Sequence, residues 1–167
     1  MNHIIQHTIR QLQEVQTGKP WIGSTYSRKL NEIDAALVFT RPLKNLHSVA
    51  EIISHLTLWR NECILKIKTG EGSKTDDCKE NWLDNDELKA IGWDTLKFNY
   101  DNSLTQLIDV LKQKDDQFLS EKYYDTDFKG YYEYHFVING MLHHDLYHLG
   151  QLGLIIKYLK EDHNDEQ

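Results

Sequence analysis

The chain is poor in cysteine and proline and contains no long apolar run. Its only cysteines among 167 residues, Cys63 and Cys78, lie far apart and form no CxxC motif. Such sparse cysteine, together with an N-terminus that lacks the apolar core of a signal peptide, predicts a protein of the reducing cytoplasm. No apolar run approaches the length that spans a bilayer, so we expect no membrane partner. The only prolines are Pro20 and Pro42, which leaves the rest of the chain free of this helix breaker.

Positive charge is also scarce, since the formal net charge is −7 and no stripe of basic residues occurs. Nonspecific affinity for nucleic acid comes from Lys and Arg at phosphates, so we expect no nucleic-acid partner. The apolar fraction of 40% and the four tryptophans favour a packed globule over a disordered chain. We predict one domain over residues 1–167, with an acidic tail that frays from about residue 161. A chain of this length buries roughly two-thirds of the surface that its unfolded form exposes, so it needs no metal for folding. Any metal site is therefore expected to be functional.

Four segments show helical periodicity and recognisable start or stop signals. They run from about Asn2 to Gln16, from a capping box at Ser48–Glu51 to Gly70 and Gly72, from Asp94 as N-cap through Phe118, and from about Tyr132 to Lys160.

The connections between these segments differ in character. Residues 21–46 are mixed, with a short helix expected between Tyr26 and Phe39. Residues 71–92 read as a long polar loop with one helical turn near Asp86 to Ala90. A tyrosine-rich stretch with a turn at Lys129-Gly130 precedes the last helix. Four long helices without strand signals predict an all-α four-helix bundle, up-down with one long crossover connection.

Helical phase separates the nine histidines. His144 and His148 are four residues apart and share the face of the apolar residues of the last helix, so both point into the core. Imidazoles in an apolar core need partners, which are either hydrogen-bonding groups or a shared metal ion. His55 lies at the edge of the apolar stripe of the second long helix, where it can face His144 and His148. A third histidine at this position favours a shared metal ion over hydrogen-bonding partners. Three histidines from two helices leave coordination positions open, as catalytic sites do. We therefore predict one divalent metal ion bound by these three residues.

The other histidines serve as controls. His3 and His7 are also four apart, but they share a face with Arg10 and Glu14 and are expected in solvent. Of the remaining four, His143 is expected on the rim and His47 directly precedes the capping box. His135 falls outside the apolar stripe, and His163 lies in the acidic tail.

Several residues near the histidine pair could support the site. Gln151 shares their face and is a candidate to bind a cofactor or ligand, although polar packing between helices would also explain it. Tyr147 and Asp145 could accept hydrogen bonds from the metal-binding imidazoles. Gly150 in the middle of a helix predicts the close approach of another element. Cys63 lies in an apolar stripe and is expected in the core, not as a nucleophile.

Two segments resemble the motifs of a known family. Residues 48–59 read SVAEIISHLTLW and are similar to the second-helix motif of the DinB-like superfamily. Residues 144–151 read HDLYHLGQ and are similar to its fourth-helix motif, a HxxxH followed by Gly-Gln. The two motifs occur in the family's order and separation, so the resemblance covers most of the chain.

The resemblance implies a DinB/YfiT-like four-helix bundle that binds zinc or nickel, with His55, His144 and His148 at the family's ligand positions. It also implies a homodimer and a small-molecule substrate. Some members are transferases or isomerases that use bacillithiol or mycothiol, which implies a metal-dependent S-transferase that joins a low-molecular-weight thiol to small electrophiles. The alternatives are a metal-dependent hydrolase and a non-catalytic stress protein that binds metal or a small ligand. No residue in the sequence distinguishes water from thiol, and a metal-free bundle with hydrogen-bonded histidines stays a third hypothesis.

Overall fold

The computed structural model describes residues 2–165, and the side chains of residues 2–161. It contains six α-helices and one pair of strands, in this order: α1 His3–Thr17, α2 Tyr26–Asn31, α3 Val49–Thr69, α4 Asn85–Ile91, α5 Trp93–Leu111, β1 Lys122–Asp125, β2 Gly130–Glu133 and α6 Tyr134–Asp165. Short 3₁₀ turns lie at Ala35–Leu37, Lys79–Trp82 and Phe118–Ser120. The long helices α1, α3, α5 and α6 form the predicted four-helix bundle.

The start of α3 is fixed by the predicted capping box. The hydroxyl of Ser48 accepts a hydrogen bond from the Glu51 N–H, and the Glu51 carboxylate accepts one from the Ser48 N–H. Gly70 ends the helix in the left-handed region at φ +80°, where a residue without Cβ is favoured. With both ends fixed, the position of His55 along the bundle follows from the sequence.

The predicted bounds of the third long helix were wrong at both ends. Asp94 is not the N-cap, because Gly92 closes α4 through a bond from its N–H to the Leu88 carbonyl and leads directly into α5 at Trp93. Asp94 lies in the first turn instead. The helix stops at Leu111, and Phe118 belongs to a separate 3₁₀ turn that buries its ring. Phe118 lies in helical register with the apolar residues of α5 although the helix has already ended. This register is the reason for the wrong prediction.

The tyrosine-rich stretch forms a hairpin that the sequence interpretation missed. Strands β1 and β2 pair antiparallel, with Tyr123 opposite Tyr132. Tyrosine favours strands, and this composition was the available signal. The predicted turn at Lys129-Gly130 is confirmed, with Lys129 at φ +54°. The predicted turn near Asp86 is also confirmed as α4.

Helix α3 is the centre of the bundle and packs against both α5 and α6. Ala50 clusters with Leu96, and further along both helices Arg60 contacts Tyr100, so α3 and α5 run in the same direction. The connection over residues 70–92 must therefore return the chain along the bundle, which is the predicted crossover. Helix α6 runs antiparallel to α3.

A buried polar network locks α6 to α3. The guanidinium of Arg60 and the carboxylate of Asp145 are both buried, and their Nη2 and Oδ2 atoms lie 2.8 Å apart. The hydroxyl of Tyr100 lies 3.2 Å from the same nitrogen, and the Tyr26 hydroxyl donates to the Asp145 carbonyl at 2.6 Å. The network fixes the rotation of α6 at the residue next to His144.

No helix within residues 2–165 has both the length and the apolar character needed to cross a bilayer. Helix α6 continues to Asp165. The side chains from residue 162 onward, including that of His163, lie outside the described residues, so the frayed tail stays a prediction.

Candidate metal centre

Three imidazoles meet between α3 and α6. The Nε2 atom of His144 lies 2.9 Å from Nε2 of His55 and 3.0 Å from Nε2 of His148. Potential ligand atoms of the three residues all lie within 4.8 Å of one another. The sequence prediction that these three histidines lie together is therefore correct.

The outer nitrogens of two of the rings are held by acceptors. Nδ1 of His55 lies 3.1 Å from the backbone carbonyl of Asn81, and Nδ1 of His148 lies 2.7 Å from Oε1 of Gln151. A carbonyl oxygen can only accept, so both Nδ1 atoms carry the proton and both Nε2 atoms present lone pairs inward. This is the usual arrangement around metal-binding histidines.

A bound cation would satisfy the three inward nitrogens better than hydrogen bonds among them do. Burial is the main cause that lowers the pKa of all three rings, to about 3 for His144 and about 4 for His148, so the rings are neutral near pH 7. The Nε2 atom of His144 can carry at most one hydrogen for the two lone pairs of His55 and His148, and its own Nδ1 atom has no hydrogen-bond partner in the described part of the chain. A cation would satisfy all three nitrogens at once, and three nitrogen ligands form a common zinc-binding set.

The loop between α3 and α4 supplies one wall of the site. The indole of Trp82 stacks on the His55 ring at a centroid distance of 3.9 Å, and on its other face it stacks on His47 at 3.6 Å. Asn81 accepts from the Trp59 Nε1–H through its side chain at 2.8 Å. Sequence reasoning missed Asn81 and Trp82 because the contact depends on a loop with no period. A tryptophan in an otherwise polar loop was the only signal.

A cavity of about 1000 Å³ opens beside the histidines. It lies between α3, the loop over residues 71–84, the hairpin turn and α6. Its volume is at the upper end of the range for small-molecule sites. The cavity is large enough for two small reactants, and the long loop predicted between α3 and α5 forms part of its wall.

The structure corrects two of the supporting predictions. Asp145 makes no hydrogen bond to an imidazole, because its carboxylate points into the core and pairs with Arg60. No other element approaches Gly150 within 4 Å of where a Cβ atom would lie, so the expected close contact is absent from the described residues.

Two other supporting residues contact the site. Tyr147 is exposed, and its ring lies edge-on to the ring of His148 at 4.9 Å. Gln151 lies at the cavity and contacts His148 as described above.

The remaining predictions concern which side chains are buried and which are exposed. Cys63 is buried, as predicted, and burial raises the pKa of its thiol to about 12. His3 and His7 are exposed on α1, and His143 is exposed at the cavity rim. His47 directly precedes the capping box, as expected, and is part of the stack on Trp82.

The comparisons with known proteins agree with this architecture. The family model described as the DinB superfamily matches residues 24–152. The fold is similar to that of YfiT from Bacillus subtilis, described as a probable metal-dependent hydrolase with an unusual four-helix bundle topology. The two share 11% identity over 96% of this chain and 90% of YfiT, with a TM-score of 0.66.

The fold is also similar to that of a mycothiol-dependent maleylpyruvate isomerase. Identity is 14%, the match covers 89% of this chain and 60% of the isomerase, and the TM-score is 0.63. No curated protein matches the sequence. At these identities the two structures establish a common fold and leave the chemistry to the site itself.

Proposed function

This chain belongs to the DinB superfamily, and on that premise we propose that it is a metal-dependent enzyme acting on small molecules. His55, His144 and His148 are the proposed ligands of one divalent cation. The observation that carries the proposal is the convergence of three neutral imidazoles, in which Nε2 of His144 lies 2.9 Å from Nε2 of His55 and 3.0 Å from Nε2 of His148, with too few protons to satisfy one another.

Zinc or nickel is the proposed metal, because neutral imidazole suits both ions. A divalent ion in a three-histidine site with open positions acts as a Lewis acid and lowers the pKa of a thiol or water placed beside it. Asn81 and Gln151 hold the outer nitrogens of His55 and His148, so the inward nitrogens are oriented before any ligand arrives.

The nucleophile is proposed to come from outside the protein. Cys63 is the only cysteine among the residues lining the cavity, and its buried thiol, with its raised pKa, is a poor source of thiolate. An external thiol or water therefore takes this role. We propose S-transfer from a low-molecular-weight thiol to a small electrophile, a reaction class supported by the likeness to a mycothiol-dependent isomerase.

Hydrolysis is the second candidate, supported by the description of YfiT as a probable metal-dependent hydrolase. In that reaction water replaces the thiol in the same cavity. The cytoplasmic location and the homodimer stay predictions, the first resting on sparse cysteine and the second on the family resemblance.

The test is a turnover screen with the full-length protein reloaded with zinc or nickel. A panel of small electrophiles is offered with bacillithiol, with mycothiol, with glutathione as a control, and with no thiol. We expect metal-dependent turnover that is lost in His144→Ala and kept in His3→Ala. Thiol-dependent turnover supports the transferase, and turnover without thiol supports the hydrolase. Metal and ligand binding without turnover under any condition would contradict an enzymatic role.

A further inference from the structure

The cavity is a groove along one face of α3. His55, Trp59, Cys63 and Lys66 all line it, at spacings of four, four and three residues. The 11 residue steps from His55 to Lys66 span about 16 Å along a helix axis. The three histidines therefore lie at one end of the groove and Lys66 lies at the other.

The walls between these ends are apolar. Trp59 contributes from α3, and Phe136, Val137 and Met141 contribute from α6. The hairpin turn adds Phe128, which packs edge-on against Phe136 with their ring centroids 5.6 Å apart. An aromatic or aliphatic body fits this stretch, where burial of apolar area provides the affinity.

Lys66 offers no free positive charge to a ligand. Its ammonium lies 2.9 Å from Oδ2 of Asp125, and both side chains are buried. The same carboxylate oxygen accepts from the Tyr123 hydroxyl at 2.9 Å. The Lys66–Asp125 pair is therefore neutral as a unit, and no other Lys or Arg among the residues that the structure describes lines the cavity.

Two further carboxylates line the groove without a cationic partner. Asp127 accepts a hydrogen bond from the backbone N–H of Asp76 at 2.8 Å, which joins the hairpin turn to the loop after α3. Within the described residues, neither side chain has a Lys, Arg or His partner at salt-bridge distance. Partial burial and the carboxylates of Asp127 and Asp77 raise the pKa of Asp76, as expected for uncompensated negative charge.

The lining outside the three proposed ligand histidines therefore carries net negative charge. The lining contains three carboxylates, those of Asp76, Asp125 and Asp127, and one ammonium, that of Lys66. Their net charge is −2 while the histidines are neutral. A divalent cation at the centre attracts an anionic atom bound directly to it. A second anionic group on the same ligand, further along the groove, finds carboxylates and no free cation.

We propose that this cavity selects its substrates by charge: it accepts small molecules with an uncharged or cationic apolar body and rejects those with an anionic group remote from the reacting atom. The inference rests on the proposed function, because that function places the reacting atom at the three histidines. It applies to the thiol as well as to the electrophile. A thiol that carries carboxylates is a poor cosubstrate, and an uncharged thiol is a good one.

The experiment uses the full-length protein loaded with cobalt(II) and three benzyl thiols of similar shape. Their para substituents are methyl, carboxylate and aminomethyl. Affinity is measured at pH 8 from the thiolate-to-cobalt charge-transfer absorption. We expect the carboxylate probe to bind at least about tenfold more weakly than the methyl probe, and the aminomethyl probe to bind at least as tightly as the methyl probe.

The double variant Asp76→Asn/Asp127→Asn keeps the size of both side chains and the acceptor at position 127. We expect it to narrow the gap between the carboxylate and methyl probes to within about twofold. The control Asp86→Asn/Asp109→Asn changes net charge equally at exposed positions outside the groove and should leave the gap unchanged.

Equal binding of the carboxylate and methyl probes to the unmodified protein would overturn the inference, and so would a gap that persists in Asp76→Asn/Asp127→Asn. A protein that binds no cobalt would overturn the proposed metal-dependent function, and a protein that gives no charge-transfer band with any thiol would overturn the proposed S-transfer. Either result would overturn this inference as well. The two kinds of failure are therefore distinct.

Discussion

The indole ring of Trp82 stacks on the imidazole of His55, with ring centroids 3.9 Å apart and planes within 8° of parallel. The opposite face of the indole carries His47, again within 8° of parallel. The residue before it, Asn81, accepts a hydrogen bond from the His55 ring through its backbone carbonyl. One short turn of the loop after α3 thus fixes both the tilt and the protonated nitrogen of a proposed metal ligand.

Removing the stack should weaken metal binding. In Trp82→Leu the His55 ring loses its flat support, and we expect zinc affinity to fall about 10- to 100-fold, the usual effect of a lost outer contact. Competition with a chelating dye measures the change. His47→Gln is the matched control, since His47 stacks on the face of the indole that points away from His55, and its effect should be several times smaller. Unchanged affinity in Trp82→Leu would contradict a positioning role.

Gln151 should act through His148. Its Oε1 atom lies 2.7 Å from Nδ1 of that ring, so Gln151→Leu removes the acceptor and should lower zinc affinity about tenfold. Gln151→Glu keeps an acceptor and should restore affinity. If Gln151 instead binds the substrate directly, as the sequence also allowed, Gln151→Leu would leave metal affinity intact and raise KM.

The Arg60–Asp145 pair should matter to stability as a unit. Arg60→Met leaves a buried carboxylate without its cation and should lower the free energy of unfolding by about 3–5 kcal/mol. The double variant Arg60→Met/Asp145→Leu removes both charges and should recover most of that loss. Urea unfolding measures each value. Lys112→Met, which breaks an exposed pair with Asp109, should cost less than about 1 kcal/mol. A double variant as unstable as Arg60→Met alone would argue against this account.

The metal-free protein should lose stability in mild acid. His144 and His148 have folded pKa values of about 3 and about 4, below their ordinary value of 6.5. The unfolded chain therefore takes up protons first as the pH falls. Their contribution to stability is complete above pH 6.5 and is lost as the pH falls from 6.5 toward 4.

Urea unfolding in the presence of a chelator at pH 7.5, 6 and 5 measures this slope. The double variant His144→Gln/His148→Gln should flatten it. The exposed pair in His3→Gln/His7→Gln should leave it unchanged. An equal slope in all three proteins would contradict the assignment of the acid sensitivity to the buried rings.

Local signals made the helices predictable. The Ser48–Glu51 capping box fixed the start of α3, and Gly70 fixed its end. Helical phase then placed His144 and His148 inward and the pair His3 and His7 outward, because a period of 3.6 residues assigns each side chain to a face. The long connection between α3 and α5 runs back along the bundle, as a crossover between two helices of the same direction requires.

The parts that sequence reasoning missed depend on contacts between distant segments. The hairpin forms because two tyrosine-rich stretches of four residues pair with each other, and neither has the length to stand alone as a strand signal. Asp145 looked like a partner for the imidazoles beside it, but Arg60, 85 residues earlier, lies closer to its carboxylate. Trp82 reaches His55 only because the loop folds back over α3.

The most direct test of the three-histidine centre is the metal content of purified full-length protein after dialysis, compared across four single variants. The unmodified protein and His3→Ala should each retain about one zinc or nickel per chain, measured by elemental analysis. His55→Ala, His144→Ala and His148→Ala should retain little or none. Equal retention in all the variants, or equal loss in His3→Ala, would contradict the assignment of His55, His144 and His148 as the metal ligands.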